Sequence, residues 1–207
     1  MILDAQVSAR TNRRIDRRIK EAGFKIRAHP QEIDYHHERG LTGSALADVL
    51  SLGFLRHHQG VIISGPTGVG KTFLCCAIGM AAISKEYAVR YVRLSALFEE
   101  IAVARGAGAY MSYAAKLRSK DLLIIDDFAL APIPSRGSRE LLDLLDDRIG
   151  TSSTMIASQV PVGSLHQSFE DATVADAVLD RIVHSSRRIE MKGESMRKLL
   201  APPKEEE

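Results

Sequence analysis

A glycine-rich stretch at residues 60–72, GVIISGPTGVGKT, limits the possible folds of this chain more than any other feature. From Gly65 to Thr72 it matches the pattern G-x-x-x-x-G-K-[ST] in full. The β-branched run Val61–Ile63 predicts a buried strand before the loop, and Phe73–Ile83 predicts a helix after it. A strand, a glycine-rich loop and a helix in this order are the setting in which the pattern binds phosphate. The chain therefore contains a candidate nucleotide-binding loop, the alternative being a glycine-rich turn with a chance Lys-Thr pair.

The residue types in this loop suit the phosphates of a nucleotide. Glycines let the backbone turn tightly and point its N–H groups at an anion, and the following helix adds partial positive charge. Lys71 is expected to reach the β- and γ-phosphates, and the hydroxyl of Thr72 is expected to bind Mg²⁺. The predicted nucleotide-binding residues are Gly65, Pro66, Thr67, Gly68, Val69, Gly70, Lys71, Thr72 and Phe73.

A second motif, Asp121–Phe128, places two carboxylates after a run of apolar residues. The run predicts a central strand that is buried on both faces, and its carboxyl end is where an open parallel sheet binds ligands. Adjacent carboxylates repel each other unless a cation or a substrate compensates them. We expect Asp126 to hold Mg²⁺ and Asp127 to orient or polarise the attacking water. Together the two motifs predict hydrolysis of Mg-ATP, rather than two solvated aspartates at a strand end.

The rest of the pattern predicts one α/β domain with a five-stranded parallel sheet sandwiched by helices. We divide the chain into a basic N-terminal helix and connector (1–40), the ATPase domain (41–200) and a disordered acidic tail (201–207). After the phosphate-loop strand, the further strands are predicted at Val89–Arg93, Leu122–Ile125, Thr154–Gln159 and Arg187–Met191.

The N-terminal region carries a stripe of arginines. Residues 8–22 predict a helix, with Ile15, Ile19 and Ala22 on a face that can dock on a core. Spacings of i, i+3, i+4, i+7 and i+8 place five guanidinium groups together on another face. This face is either a contact surface for DNA phosphates or an acidic partner, or a solvated helix face. The five residues are Arg10, Arg13, Arg14, Arg17 and Arg18.

Composition adds a few exclusions. The net charge is only +2, so bulk charge identifies no partner. Cys75 and Cys76 are neighbours in a predicted helix, which excludes a disulfide framework and indicates buried thiols. A metal site at His36-His37 is unsupported because the sequence offers no further ligands at suitable spacing, and His57-His58 are interpreted as polar loop residues. The absence of a secretory or membrane-spanning segment predicts a cytoplasmic protein that does not bind membranes.

Taken together, the motifs resemble the IstB-like ATP-binding proteins. These are helpers of insertion-sequence transposition, close to the DnaC-type helicase loaders among the AAA+ ATPases. The matching runs are the phosphate loop, the acidic strand with Asp126-Asp127, Ala-Ser158-Gln159, Leu-Asp180-Arg181-Ile-Val-His and Gly-Glu-Ser-Met-Arg197. The runs around Arg181 and Arg197 are more specific to the group than the phosphate loop and the acidic strand.

The resemblance implies an AAA+ fold, here with a short N-terminal helical segment and no full lid. It implies a homo-oligomeric ring or filament on duplex DNA, with a transposase as partner. Arg181 would be the arginine finger that reaches the ATP of a neighbouring subunit, and Gln159 or Ser158 would be the first sensor. Arg197 would be a second, lid-type sensor. The implied catalytic residues are then Lys71, Asp127, Gln159 and Arg181, with Asp127 standing where AAA+ proteins generally have glutamate.

Several functions fit these motifs. The first is an ATP-regulated assembly factor on DNA that regulates a transposase, and the second is a DnaC-like loader of a replicative helicase. A P-loop kinase of small molecules would need an acceptor pocket and a lid with arginines, and neither is visible in the sequence. An inactive remnant would show no loss of ATP turnover when Lys71 is replaced.

Overall fold

The computed structural model describes residues 2–34 and 40–199 of the 207-residue chain. The predicted acidic tail and the pair His36-His37 lie outside the described residues. The strands are β1 (Gly60–Ser64), β2 (Val89–Arg93), β3 (Leu122–Phe128), β4 (Ser153–Ser158) and β5 (Ser186–Glu190). The helices are α1 (Ile2–Ala22), α2 (Gly43–Leu50), α3 (Gly53–Arg56), α4 (Lys71–Ser84), α5 (Leu94–Gly106), α6 (Tyr110–Arg118), α7 (Ser135–Asp146), α8 (Ala172–Val183) and α9 (Met196–Leu199), with 3-10 turns at Pro30–Glu32 and Val162–Ser168.

The five strands form one parallel sheet in the order β2-β3-β4-β1-β5. The predicted five-stranded parallel sheet is therefore confirmed. Because all strands run the same way, the carboxyl ends of β1, β4 and β3 meet at one edge of the sheet. This edge brings the phosphate loop, the residues that follow β4 and the two aspartates of β3 next to one another.

Helices cover both faces of the sheet. Val61 and Ile63 of β1 point to one face, where α1, α2, α3 and α4 pack, while Ile62 points to the other face under α5 to α8. This alternation follows from the period of two along a strand, and it explains why every residue from Val61 to Ser64 is buried. None of the described helices combines the length and the apolar character that crossing a membrane requires.

The N-terminal helix α1 docks on the sheet domain. It was predicted over residues 8–22, but it begins at Ile2 and ends at the predicted place, where Gly23 turns the chain with φ of +70°. Ala22 is fully buried, and Ile15 and Ile19 pack against the same core beside α4 and β2. The predicted docking face of this helix is therefore confirmed.

Two predicted helix boundaries differ from the structure. The backbone N–H of Ala45 donates to the hydroxyl of Thr42 at 3.2 Å, which confirms Thr42 as a cap. The helix predicted from there to about Phe54 is nevertheless two helices, because Leu52 adopts a left-handed conformation with φ of 58° between α2 and α3. Likewise, α5 begins at Leu94 without a side-chain cap, so Ser95 was wrongly predicted to cap it.

Candidate nucleotide-binding site

The loop between β1 and α4 has a backbone that side chains would obstruct. Gly65 and Gly68 have φ of 149° and 88°. A Cβ atom on Gly65 would lie 2.3 Å from the carbonyl oxygen of Met191, and one on Gly68 would lie 2.1 Å from Oγ of Ser195. The segment after β5 therefore lies directly against the loop, and the backbone N–H of Met196 donates to Gly68 O at 3.0 Å.

Lys71 begins α4 and is almost completely buried, with 9% of its surface exposed. Its Nζ donates to the carbonyl oxygens of Gly65 and Pro66 at 2.7 and 2.8 Å. Burial lowers the pKa of Lys71, while the nearby carboxylates of Asp126 and Asp127 act in the opposite direction. The ammonium group is thus held inside the loop, where a bound phosphate would offer it stronger, charged partners.

Asp126 is the most extensively hydrogen-bonded side chain of the site and is 1% exposed. Its Oδ2 accepts hydrogen bonds from Thr72 Oγ1 at 2.7 Å and from the hydroxyl of Tyr91 at 2.6 Å. Its Oδ1 accepts from the backbone N–H of Asp127 at 2.9 Å. Three donors therefore orient the carboxylate, and they compensate the burial of its charge.

Tyr91 is a site residue that the sequence reasoning missed. It lies on β2 directly beside Ile124 of β3, so its side chain reaches the carboxyl edge of the neighbouring strand. Burial raises the pKa of Tyr91, and the hydrogen bond to Asp126 raises it further. The only sequence signal was a tyrosine two residues before the end of a strand that pairs with the acidic strand.

Asp127 turns away from the regular sheet. The β3–β4 register shifts between Ile125 and Phe128, and Asp127 has φ of 54°. Its carboxylate is partly exposed and faces Nζ of Lys25 at 4.0 Å. The turn directs the second carboxylate into the open cavity, whereas the first stays buried beneath it.

The structure separates the two sensor candidates at the end of β4. Ser158 is fully buried, donates to Phe128 O at 2.9 Å and accepts from the N–H of Val160 at 3.0 Å. Gln159 instead accepts a hydrogen bond from the hydroxyl of Thr67 in the phosphate loop. Gln159 is therefore the one that faces the loop, while Ser158 joins the carboxyl ends of β3 and β4.

These side chains surround one cavity of about 480 Å³. Among the described residues, no group of three or more His, Cys, Asp or Glu side chains could hold a metal alone. Mg²⁺ usually binds one or two protein oxygens together with substrate phosphates, and the adjacent oxygens of Thr72 and Asp126 fit that role. The lining residues are Lys25, Ile26, Thr67, Gly68, Gly70, Lys71, Thr72, Phe73, Asp126, Asp127, Gln159 and Met196.

Arg181 lies at the opposite end of the sheet. It borders a separate cavity of about 280 Å³, together with Gly60 and Ser186, the first residues of β1 and β5. Its Nε donates to Oδ1 of Asp146, and its Nη1 donates to Ala177 O at 3.0 Å. Since the phosphate loop follows the last residue of β1, the structure does not bring Arg181 to the cavity of its own subunit.

The predicted arginine stripe on α1 is not uniform. Arg10, Arg13 and Arg17 are exposed, although Arg17 lies 3.6 Å from Glu21. Arg14 pairs with Glu86 at 3.3 Å, and Arg18 is half-buried with an Nη1 that has no hydrogen-bond partner among the described residues. The side chain of Arg197, the predicted second sensor, lies outside the described part of the structure.

Comparison with known proteins identifies relatives of the whole chain. The family described as IstB-like ATP binding protein matches residues 1–201. An insertion sequence ATP-binding protein of Sinorhizobium fredii, y4pL, is 38% identical over 198 residues, which are 96% of this chain and 81% of that protein. The ATP-binding protein of insertion sequence IS1162 from Pseudomonas fluorescens is 33% identical over 162 residues, covering 78% of this chain and 70% of that protein.

Solved structures with the same fold are AAA+ P-loop domains. DnaI superposes with a TM-score of 0.69 at 19% identity, over 80% of this chain and 91% of that chain. The DnaC helicase loader gives 0.62 at 15% identity, over 77% and 95%. The replication initiator DnaA bound to AMPPCP and single-stranded DNA gives 0.61 at 20% identity, over 74% and 46%. At these identities the likeness establishes the AAA+ fold, which confirms the predicted fold class.

Proposed function

This chain belongs to the family of IstB-like ATP-binding proteins, and we propose that it hydrolyses Mg-ATP to control its assembly on duplex DNA and thereby regulates a transposase. The observation that carries the proposal is the convergence of Lys71, Thr72, Asp126 and Asp127 on one cavity. Phosphoryl transfer needs a cation, a metal site and a group that orients water, all close to the same phosphate.

Within the cavity, each of these residues has a proposed task. Lys71 exchanges the carbonyl oxygens of the loop for the β- and γ-phosphates when ATP binds. Thr72 and Asp126 hold Mg²⁺, which neutralises charge on the phosphate oxygens when it is bound. Asp127 orients the attacking water, and Gln159 contacts the γ-phosphate or that water from the other side of the loop.

We assign the arginine finger to Arg181 of a neighbouring subunit. Its position at the far end of the sheet supports an action between subunits. Its bond to Asp146 must open before the guanidinium can reach a phosphate. An arginine finger contributes on the order of 10³–10⁵ in rate, so an isolated subunit hydrolyses ATP slowly and an assembled one hydrolyses it fast.

The DNA contact is proposed for the exposed arginines of α1. Arg10, Arg13, Arg14 and Arg17 are exposed, and the ion pairs of Arg14 with Glu86 and of Arg17 with Glu21 lie at the surface, where phosphates can replace them. Each neutralised phosphate lowers the slope of log K against log salt by about 0.9, so these four residues account for a slope of roughly −3.6.

Two measurements test this function. ATP turnover should disappear in Lys71→Ala, and co-sedimentation on duplex DNA should depend on ATP and weaken with salt. Equal, salt-insensitive sedimentation with and without ATP, or unchanged turnover in Lys71→Ala, would overturn the proposal. Affinity capture then distinguishes the partner, because binding of a replicative helicase and not of the transposase would favour a helicase loader.

A further inference from the structure

One wall of the nucleotide cavity comes from outside the two sequence motifs, from the segment that follows α1. Lys25 and Ile26 of this segment line the cavity beside the phosphate loop. Phe24 holds the segment in place, since its ring packs against Tyr91 with centroids 6.4 Å apart. The ring also fills the space over Gly79 of α4, where a Cβ atom would lie 2.6 Å from it. The position of the segment is therefore set by core packing.

Lys25 gives the cavity a second cation. Among the described lining residues, the positive side chains are Lys25 and Lys71, and the negative ones are Asp126 and Asp127. Lys71 is committed to the loop carbonyl oxygens, whereas Nζ of Lys25 lies 4.0 Å from Oδ2 of Asp127. These four charges cancel, so Mg-ATP, with a net charge of about −2, would face Asp127 without an excess of positive charge.

We propose that Lys25 is a further nucleotide-binding residue, which shields Asp127 in the free protein and contacts the γ-phosphate when ATP is bound. The inference rests on the proposed function, because it assumes that this cavity takes Mg-ATP. A lysine ammonium on a flexible four-carbon stem can move from a carboxylate to a phosphate, and with 42% of its side chain exposed Lys25 has room to do so. Since Asp127 lies where the γ-phosphate and its water are expected, Lys25 distinguishes ATP from ADP.

The alternative is a solvated lysine that pairs loosely with Asp127. Such an exposed pair contributes little and does not discriminate between nucleotides. Arg27 offers a matched control, because it lies two residues further along the same segment, is exposed, and is not among the described residues that line the cavity.

The experiment measures the affinity of the full chain for ribose-labelled fluorescent ATP and ADP in the presence of Mg²⁺. Lys25→Gln should weaken ATP binding about tenfold and ADP binding less than about twofold, as expected for one lost charged contact to the terminal phosphate. Arg27→Gln should leave both affinities unchanged. Thermal melting of each variant shows whether it is folded.

The outcomes separate this inference from the proposed function. If the unaltered chain binds neither nucleotide, both are wrong. If it binds both, but Lys25→Gln binds ATP like the unaltered chain or loses ATP and ADP affinity equally, only the role of Lys25 is wrong. An equal loss of ATP affinity in Arg27→Gln would also overturn it, since general loss of charge would then explain the effect.

Discussion

The hydroxyl of Tyr91 donates a 2.6 Å hydrogen bond to the same oxygen of Asp126 that accepts one from Thr72 at 2.7 Å. Two strands and the helix after the phosphate loop thus fix one carboxylate before any nucleotide arrives. If Asp126 holds Mg²⁺ as proposed, its carboxylate is already oriented, with Oδ1 accepting a single hydrogen bond, and this reduces the cost of binding.

Tyr91→Phe should weaken Mg²⁺ binding in the nucleotide complex. The substitution removes only the hydroxyl, and a hydrogen bond to a charged group is worth about 1.5–3 kcal/mol. We expect at least about a tenfold rise in the Mg²⁺ concentration that half-saturates ATP binding. This concentration is measured by titrating Mg²⁺ into the protein with fluorescent ATP and following ATP binding. Tyr87→Phe, which alters another ring packed on the same core, is the control; identical Mg²⁺ curves for the two variants would show that Tyr91 does not orient Asp126.

Mixing two inactive variants should restore ATP turnover. Lys71→Ala lacks a working loop and Arg181→Ala lacks the proposed finger, so each alone should be at least about 10³-fold slower. In an equal mixture, about a quarter of the interfaces of a random head-to-tail assembly combine an intact loop with an intact arginine. Phosphate release by the mixture should therefore approach that fraction of the normal rate. Full activity of Arg181→Ala alone, or an inactive mixture, would contradict action between subunits. Arg188→Ala is the control: it removes an exposed arginine and should remain active by itself.

Gly79→Ala should destabilise the protein and weaken ATP binding together. The new Cβ would lie 2.6 Å from the ring of Phe24 and 3.0 Å from Ile124, so the segment after α1 must shift. Overpacking of this kind costs about 1–3 kcal/mol of the free energy of unfolding. Gly106→Ala is the matched control at the end of α5, since no described atom lies within 4 Å of its Cβ. Urea unfolding that shows the same small change for both variants would exclude a packing role for Gly79.

Stability should fall at alkaline pH partly through Cys76. Burial raises the pKa of the Cys76 thiol to about 11 from an ordinary value of 9.0, so the folded protein holds this proton more tightly. The contribution is fully present below pH 9.0 and is lost as the pH rises towards 11. Between about pH 8 and pH 10 the free energy of unfolding should decrease by about 1 kcal/mol through this group. Urea unfolding of Cys76→Ala should show a smaller decrease in the free energy of unfolding over that interval. Some decrease remains, because the buried tyrosines titrate in both proteins. Equal decreases in the two proteins would mean that Cys76 does not contribute.

The phosphate loop and Asp126 could be predicted from the sequence, because each belongs to a short motif of residues that are adjacent in the chain. The phosphate loop has a fixed spacing, and Asp126 directly follows the apolar run Leu122–Ile125, which predicts a buried strand. Tyr91 and Lys25 could not be predicted, since they meet their carboxylates only through strand pairing and the docking of α1. The position of Tyr91 two residues before a strand end does not by itself distinguish it from other strand tyrosines, and no neighbouring residue distinguishes Lys25 from other lysines.

Two further features could not be predicted for conformational reasons. Ser158 and Gln159 are neighbours at a strand end, so a choice between them requires knowing which side chain points inward. The break between α2 and α3 depends on a leucine at positive φ, and leucine is not a residue that signals such a turn. Tertiary packing of Leu52, which is 5% exposed, decides this boundary.

If Arg181 acts on a neighbouring subunit as proposed, its separation from the phosphate loop along β1 gives an open assembly of this chain a direction. In a linear array, every phosphate loop then receives an arginine from a neighbouring subunit, except the loop of the subunit at one end. That end subunit would keep its ATP while interior subunits hydrolyse theirs. Subunits would therefore be added at one end of the array and lost at the other. A closed ring has no such subunit, and the two arrangements would differ in how long the final nucleotide persists.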